Sequence, residues 1–162
     1  MDPISEQNLS KINPVLAQKI RTAAEKCAES RLFFRVYSGL RTAEEQNALY
    51  AQGRETPGSI VTNARAGESM HNYGLAADIV PFMSNQSGAL NWNPVSSQYR
   101  AMVKALKDEG LVWGGDWIHF KDLDHFQIQG LPPNPTHSMI ADYHGGIDLQ
   151  AIWDKAAKGE YA

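Results

Sequence analysis

The 162-residue sequence has one cysteine, no basic excess, and no apolar run approaching the roughly 18 residues of a membrane helix. A single thiol excludes an intramolecular disulfide framework. Cys27 also sits at the spacing of an apolar helix face, which reads as a small buried residue and not a nucleophile. The net charge of -3 and pI of about 5.9 leave no basic footprint, and no Lys/Arg cluster is visible, so no nucleic acid partner is expected. The opening "MDPISEQNLSKINP" is acidic and polar where a secretory signal would place a basic stretch and then an apolar run. Synthesis in the cytoplasm without an export signal, and no membrane insertion, are the corresponding expectations. If the substrate lies outside the membrane, something else must let the protein through. There is no internal repeat and no low-complexity tract. The 43% hydrophobic and 20% charged content belongs to an ordinary globular chain, of a length that suits a single domain over residues 1–162.

Periodicity sketches the elements. "PVLAQKIRTAAEKCAE", residues 14–29, sets Leu16, Ile20, Ala23, Ala24 and Cys27 at three- and four-residue steps behind a first-turn proline, predicting an amphipathic helix. "LFFRVYSG" is aromatic and β-branched up to a glycine and predicts a strand. "TAEEQNALYAQG" carries Thr42 and Glu45 in capping-box spacing and stops at Gly53, predicting a second helix. "GLAADIV" reads as a short apolar strand and "SSQYRAMVKALKDEG" as a helix ending at Gly110. "DHFQIQ" alternates as a strand with His125 and Gln127 on one face. A Pro/Asn-rich connection, "LPPNPTH", and a last helix across "DLQAIWDKAAK" complete residues 130–162. This order predicts an α+β fold with a small, mostly antiparallel sheet packed with helices.

The stretch "SMHNYGLAADIV" puts His71 and Asp78 around a glycine and two alanines, residues small enough to let backbone approach backbone. With His125 on another strand, sheet pairing could gather two imidazoles and a carboxylate, the three-ligand set of an open catalytic zinc site. A chance histidine and aspartate at short spacing, each satisfied structurally, is the plain alternative. In "WGGDWIHFKDLDHFQ", Asp122 precedes His125 by three positions, where a carboxylate can accept a proton from an attacking water and pass it to a leaving amine. Asp124 is the other candidate base, but strand alternation turns it to the face opposite His125.

Ser69, His71, Gly74, Ala76 and Asp78 together resemble the Ser-x-His-x-x-Gly-x-Ala-x-Asp signature of the M15 zinc peptidases. That family contains D-alanyl-D-alanine carboxypeptidases, D-alanyl-D-alanine dipeptidases and phage L-alanyl-D-glutamate endolysins. "VYSGLRTAEEQNALY" resembles its Tyr-Arg-Ser-x-x-Glu-Gln segment and "WGGDW…DHFQ" its closing motif, so three blocks in order span residues 36–127. The resemblance implies the Hedgehog/D-Ala-D-Ala peptidase-like zinc fold, with Zn2+ held by His71, Asp78 and His125 and with Asp122 as the base. Arg41 matches the family's arginine, placed to hold a substrate carbonyl oxygen or the oxyanion formed on it. A surface ion pair with Glu44 or Glu45 is the structural alternative for Arg41.

Ser69 is expected to orient the substrate or a ligand, and Tyr73 to close one wall of the substrate site. The sequence departs from the pattern at Asp124, where related endolysins often have proline, and in the extra His119, which is read as an exposed or hydrogen-bonded strand residue outside the metal shell. His137 and His144 lie beyond the matched blocks and are given no catalytic part. Trp113, Trp117, Phe120 and Phe126 are assigned mainly to packing.

Within the family, the resemblance implies an endolysin cutting the L-alanyl-D-glutamate bond of peptidoglycan stem peptides. It would be a monomer, stay in the host cytoplasm until the membrane is permeabilised, and then reach the wall of a Gram-negative host. A D-alanyl-D-alanine carboxypeptidase or dipeptidase is the alternative within the enzymes. A noncatalytic zinc-structured binding domain is the alternative from another class.

Overall fold

The computed structural model describes residues 1–83 and 88–162. Six helices and four strands are present among them. The helices are α1 (Pro3–Leu9), α2 (Pro14–Glu29), α3 (Ala43–Ala51), α4 (Ser97–Asp108), α5 (His137–His144) and α6 (Leu149–Ala157). The strands are β1 (Phe34–Ser38), β2 (Ala76–Pro81), β3 (Leu111–Trp113) and β4 (His125–Ile128). The strands form one sheet in the order β1-β2-β4-β3, antiparallel at each pairing, so the α+β expectation holds.

Local chemistry explains most boundaries. Asn13 caps α2 by accepting from Val15 and Leu16 N–H, and Pro14 supplies the first turn. Thr42 and Glu45 form the capping box expected of α3. The helix read from residues 96–110 begins with Ser96 as its cap and ends before Gly110, whose φ of +77° is costly for other residues. Three elements exceed the expectations. α1 is a seven-residue helix capped by Asp2, and α5 starts at the end of the connection, capped by Thr136. β3 is a three-residue edge strand. Each is too short for apolar periodicity to stand out.

The backbone contacts group the chain into two compact units. The first, Met1–Gly39 with Ala76–Gln129, contains the sheet with α1, α2 and α4. Here α1 packs on β1, and α4 packs on α2, β2 and β3. Leu16, Ile20, Ile79, Met102 and Leu106 have no exposed surface, and burial of each contributes about 1.5–3 kcal/mol. Cys27 is buried as expected, and burial pushes its thiol pKa up, away from thiolate chemistry. The second unit, Leu40–Leu75 with Gly130–Ala162, gathers α3, α5 and α6 with a 3-10 turn at Met70–Tyr73. Its buried apolar residues include Met70, Tyr73, Leu75, Met139 and Ile152. No helix among the described residues is long and apolar enough to cross a membrane.

Candidate metal centre

Every residue of β2 is buried, the result of a strand with neighbours on both edges and small residues at Ala76 and Ala77. In its pairing with β4, Asp78 stands directly opposite His125. Facing positions of an antiparallel pair bring side chains together on one face, and His125 Nδ1 lies 3.8 Å from Asp78 Oδ1. Two residues along β4, on that same face, Gln127 Oε1 lies 3.0 Å from His125 Nε2. An amide oxygen only accepts, so Nε2 carries the proton, and Nδ1 is the nitrogen on the side of the aspartate.

His71 arrives from the 3-10 turn. Ser69 caps that turn, its hydroxyl accepting the His71 N–H at 3.4 Å, and Gly74 ends it at φ +61° before the chain enters β2. The His71 carbonyl accepts the Arg41 N–H at 3.0 Å, and Asn72 Nδ2 donates to the Arg41 carbonyl at 3.0 Å. Ser69 therefore fixes the turn that carries His71.

The ligand atoms of His71, Asp78 and His125 all lie within 4.8 Å of one another. The three residues are 2%, 7% and 5% exposed, which decides against three ordinary surface groups. A carboxylate withdrawn from water beside two imidazoles is costly unless a cation joins it, and two neutral nitrogens with one anionic oxygen are the donors of an open catalytic metal site. The residues fit a divalent metal.

Asp122 lies on a loop tied down at four points. Its N–H donates to the Gly114 carbonyl at 3.2 Å, and Lys121 Nζ donates to the Gly115 carbonyl at 2.8 Å. The Leu123 carbonyl accepts from Tyr99 Oη at 2.8 Å and from Trp113 Nε1 at 2.6 Å. Tyr99 is buried, and its pKa is pushed up to about 12 by burial first and then by the charges of Asp122 and Asp78. Both carboxylates thus lie within electrostatic reach of one phenol. Asp124 is engaged elsewhere: its carboxylate accepts from the Tyr37 hydroxyl, and burial pushes its pKa up. The Arg41 guanidinium donates to Gln46 Oε1 at 2.9 Å, while Glu45, one of its expected surface partners, accepts from the Thr42 N–H in the capping box.

Several expectations are corrected. Tyr73 does not close a substrate wall, because its side chain is 0% exposed and its hydroxyl donates to the Gly67 carbonyl at 2.7 Å. His119 is exposed, as expected, but belongs to no strand. Of the four aromatics assigned to packing, Phe126 is fully buried but Phe120 is 58% exposed. Trp117 is partly covered, with its ring 5.0 Å from that of His125 and its Nε1 buried with no hydrogen-bond partner among the described residues. Gln127, Tyr99 and Gly114 were missed as contributors. The His-x-Gln alternation was a usable signal for Gln127, whereas nothing in the sequence marks the other two.

Comparison with known proteins agrees with this geometry. A family profile described as D-alanyl-D-alanine carboxypeptidase matches residues 62–128. The peptidoglycan L-alanyl-D-glutamate endopeptidase CwlK of Bacillus subtilis (strain 168) is 35% identical over 126 residues, covering 74% of each chain. The L-alanyl-D-glutamate peptidase of Listeria phage A118 is 26% identical over 127 residues, covering 75% of this chain and 41% of that one. Among solved structures, the Serratia marcescens L-Ala D-Glu endopeptidase ChiX superposes with a TM-score of 0.53 at 25% identity, over 80% of this chain and 89% of its own. With a buried His-Asp-His set and a relative of this identity aligned over three-quarters of both sequences, the chain belongs to the M15 family of metallopeptidases.

Proposed function

We propose that this protein is a zinc-dependent peptidoglycan endopeptidase hydrolysing the bond between L-alanine and D-glutamate in stem peptides. The observation that carries the reading is the buried His71, Asp78 and His125 set in a chain 35% identical to a relative named for that cleavage. Zinc held by these three residues would supply Lewis acidity, polarising the scissile carbonyl and acidifying a water. Asp122, on its four-point loop, accepts the proton of the attacking water and returns it to the departing amine of D-glutamate. Arg41 donates to the oxygen on which negative charge develops, and its bond to Gln46 holds the guanidinium ready for that. Gln127 keeps His125 in the tautomer whose Nδ1 would hold the metal. Ser69 keeps the His71 backbone in place.

The chain is read as one peptidase domain acting as a monomer. The Listeria phage relative supports an endolysin role, in which the protein meets the wall once the membrane is breached and lyses the host. Lysis on co-expression with a membrane-permeabilising partner, and its absence without one, tests that part.

Digestion of purified peptidoglycan followed by mass spectrometry tests the bond. New L-alanine C-termini on the glycan and released peptides beginning with D-glutamate are expected. The description of the matching profile favours one competitor, a D-alanyl-D-alanine carboxypeptidase. Release of free D-alanine with the alanine–glutamate bond intact would establish that reading instead.

A further inference from the structure

Trp92 is 57% exposed, although its surroundings are firmly built. Its neighbour Asn91 is buried, donating its N–H to the Pro81 carbonyl at 2.7 Å at the end of β2 and its Nδ2 to Ser96 Oγ at 3.0 Å. Asn91 Oδ1 accepts the Asn93 N–H at 3.1 Å, and Asn93 Oδ1 accepts the Val95 N–H at 3.2 Å. The backbone on both sides of the indole is thereby fixed. The indole and the Tyr37 ring form a T-shaped pair, with centroids 5.4 Å apart at 67°, and the Tyr37 hydroxyl donates to Asp124, the residue before His125. Two side-chain contacts and one peptide bond link this exposed aromatic to the metal centre. A large ring kept more than half in water on a rigid support has little reason to be there for folding.

We propose that Trp92 is a sugar-stacking platform, seating the muramyl residue of the glycan strand while the stem peptide attached to it is cut. The inference rests on the alanine–glutamate reading, because in peptidoglycan that L-alanine is joined directly to the lactyl group of the amino sugar. An extended residue spans about 3.3–3.6 Å, so the sugar ring meets the protein only two to three residue lengths from the scissile carbonyl, on the order of 10 Å. A pyranose offers an apolar C–H face ringed by hydroxyls. An indole fits that face, and its fixed loop loses little freedom on binding. A carboxypeptidase acting at the far end of the stem would have no sugar within this reach.

The test compares two substrates with the same scissile bond, a muramyl-linked stem peptide and the same peptide with N-acetyl-L-alanine in place of the sugar linkage. The native protein should prefer the sugar-linked substrate. In Trp92→Ala the ratio of kcat/KM between the two should fall about 3- to 10-fold, the range an aromatic contact supplies, and Trp92→Phe should restore most of it. Equal loss on both substrates would overturn the proposal, since a packing role or a contact to the peptide predicts that result. As a second readout, the Trp92 indole N–H resonance, assigned by its loss in Trp92→Phe, should shift when peptide-free glycan strands are titrated in. An unmoved resonance also overturns it. If the native protein leaves the alanine–glutamate bond intact in both substrates, the proposed function has failed, and the glycan titration still decides the platform.

Discussion

Gly114 offers a way to move the proposed base without touching it. An alanine Cβ there would stand 2.4 Å from the Asp122 carbonyl oxygen and 3.1 Å from Asp122 Cβ, whereas ordinary contact begins at 3.4 Å. The Asp122 backbone must therefore withdraw by about 1.0 Å, the difference between 3.4 and 2.4 Å. Gly114 is absent from the glycines with positive φ, so its own backbone accepts a side chain and the conflict is with Asp122 alone. A displacement of about 1 Å at a catalytic group costs roughly 100-fold in rate, and overpacking costs about 1–3 kcal/mol in stability. Gly114→Ala should thus keep its metal and its fold, melt at a lower temperature, and turn over stem peptides about 100-fold more slowly. Asp122→Asn should lose about 100- to 10,000-fold. The decisive assay is the double variant, measured as kcat/KM beside metal content. With the base gone its position no longer matters, so Gly114→Ala should add almost nothing to Asp122→Asn. Losses that multiply, or a Gly114→Ala protein that loses its metal, would refute the assignment of Asp122 and of its loop.

Asp124→Asn should retain most activity, because an amide still accepts from the Tyr37 hydroxyl; a loss matching that of Asp122→Asn would transfer the base to Asp124. Gln127→Leu removes the acceptor that sets the His125 tautomer, and metal affinity measured by competition with a chelator should fall about 10- to 100-fold, with an unchanged affinity counting against the ring assignment. Asp142 accepts from Lys155 Nζ at 2.7 Å and Tyr161 Oη at 2.6 Å, and these bonds hold its carboxyl below the ordinary 3.8. A depressed folded-state pKa stabilises the fold above 3.8, and that contribution is lost as pH falls through the lower folded value. The melting temperature of Asp142→Asn should accordingly fall less steeply on acidification, and parallel acid limbs for variant and native protein would contradict this.

The His71, Asp78 and His125 cluster was legible because its chemistry and its spacing coincide. Histidine, glycine, alanine and aspartate in one short stretch carry a signature, and strand alternation places His125 and Gln127 on one face. Helices α2, α3 and α4 announced themselves through caps and apolar steps. Elements fixed by long-range contacts were not legible. β3 has only three residues, and its pairing with β4 places Leu111 opposite Ile128, a partnership that local sequence does not encode. Tyr73 misled for a related reason: a tyrosine beside a ligand suits a substrate wall as well as a core, and only the Gly67 carbonyl, six residues earlier, decides for the core. Tyr99 sits among ordinary helix residues, and nothing local says that its hydroxyl will meet Leu123.

The facing of Asp78 and His125 across β2 and β4 makes the metal centre a gauge of strand alignment. A slip of one residue would set Asp78 against Asp124 or Phe126, turning an imidazole away and bringing a second carboxylate or a phenyl ring into its place. Misaligned sheets would therefore hold no cation, while the aligned one gains the whole free energy of binding it. An ion that serves the chemistry also selects, among the compact states open to the chain, the one in which that chemistry is possible.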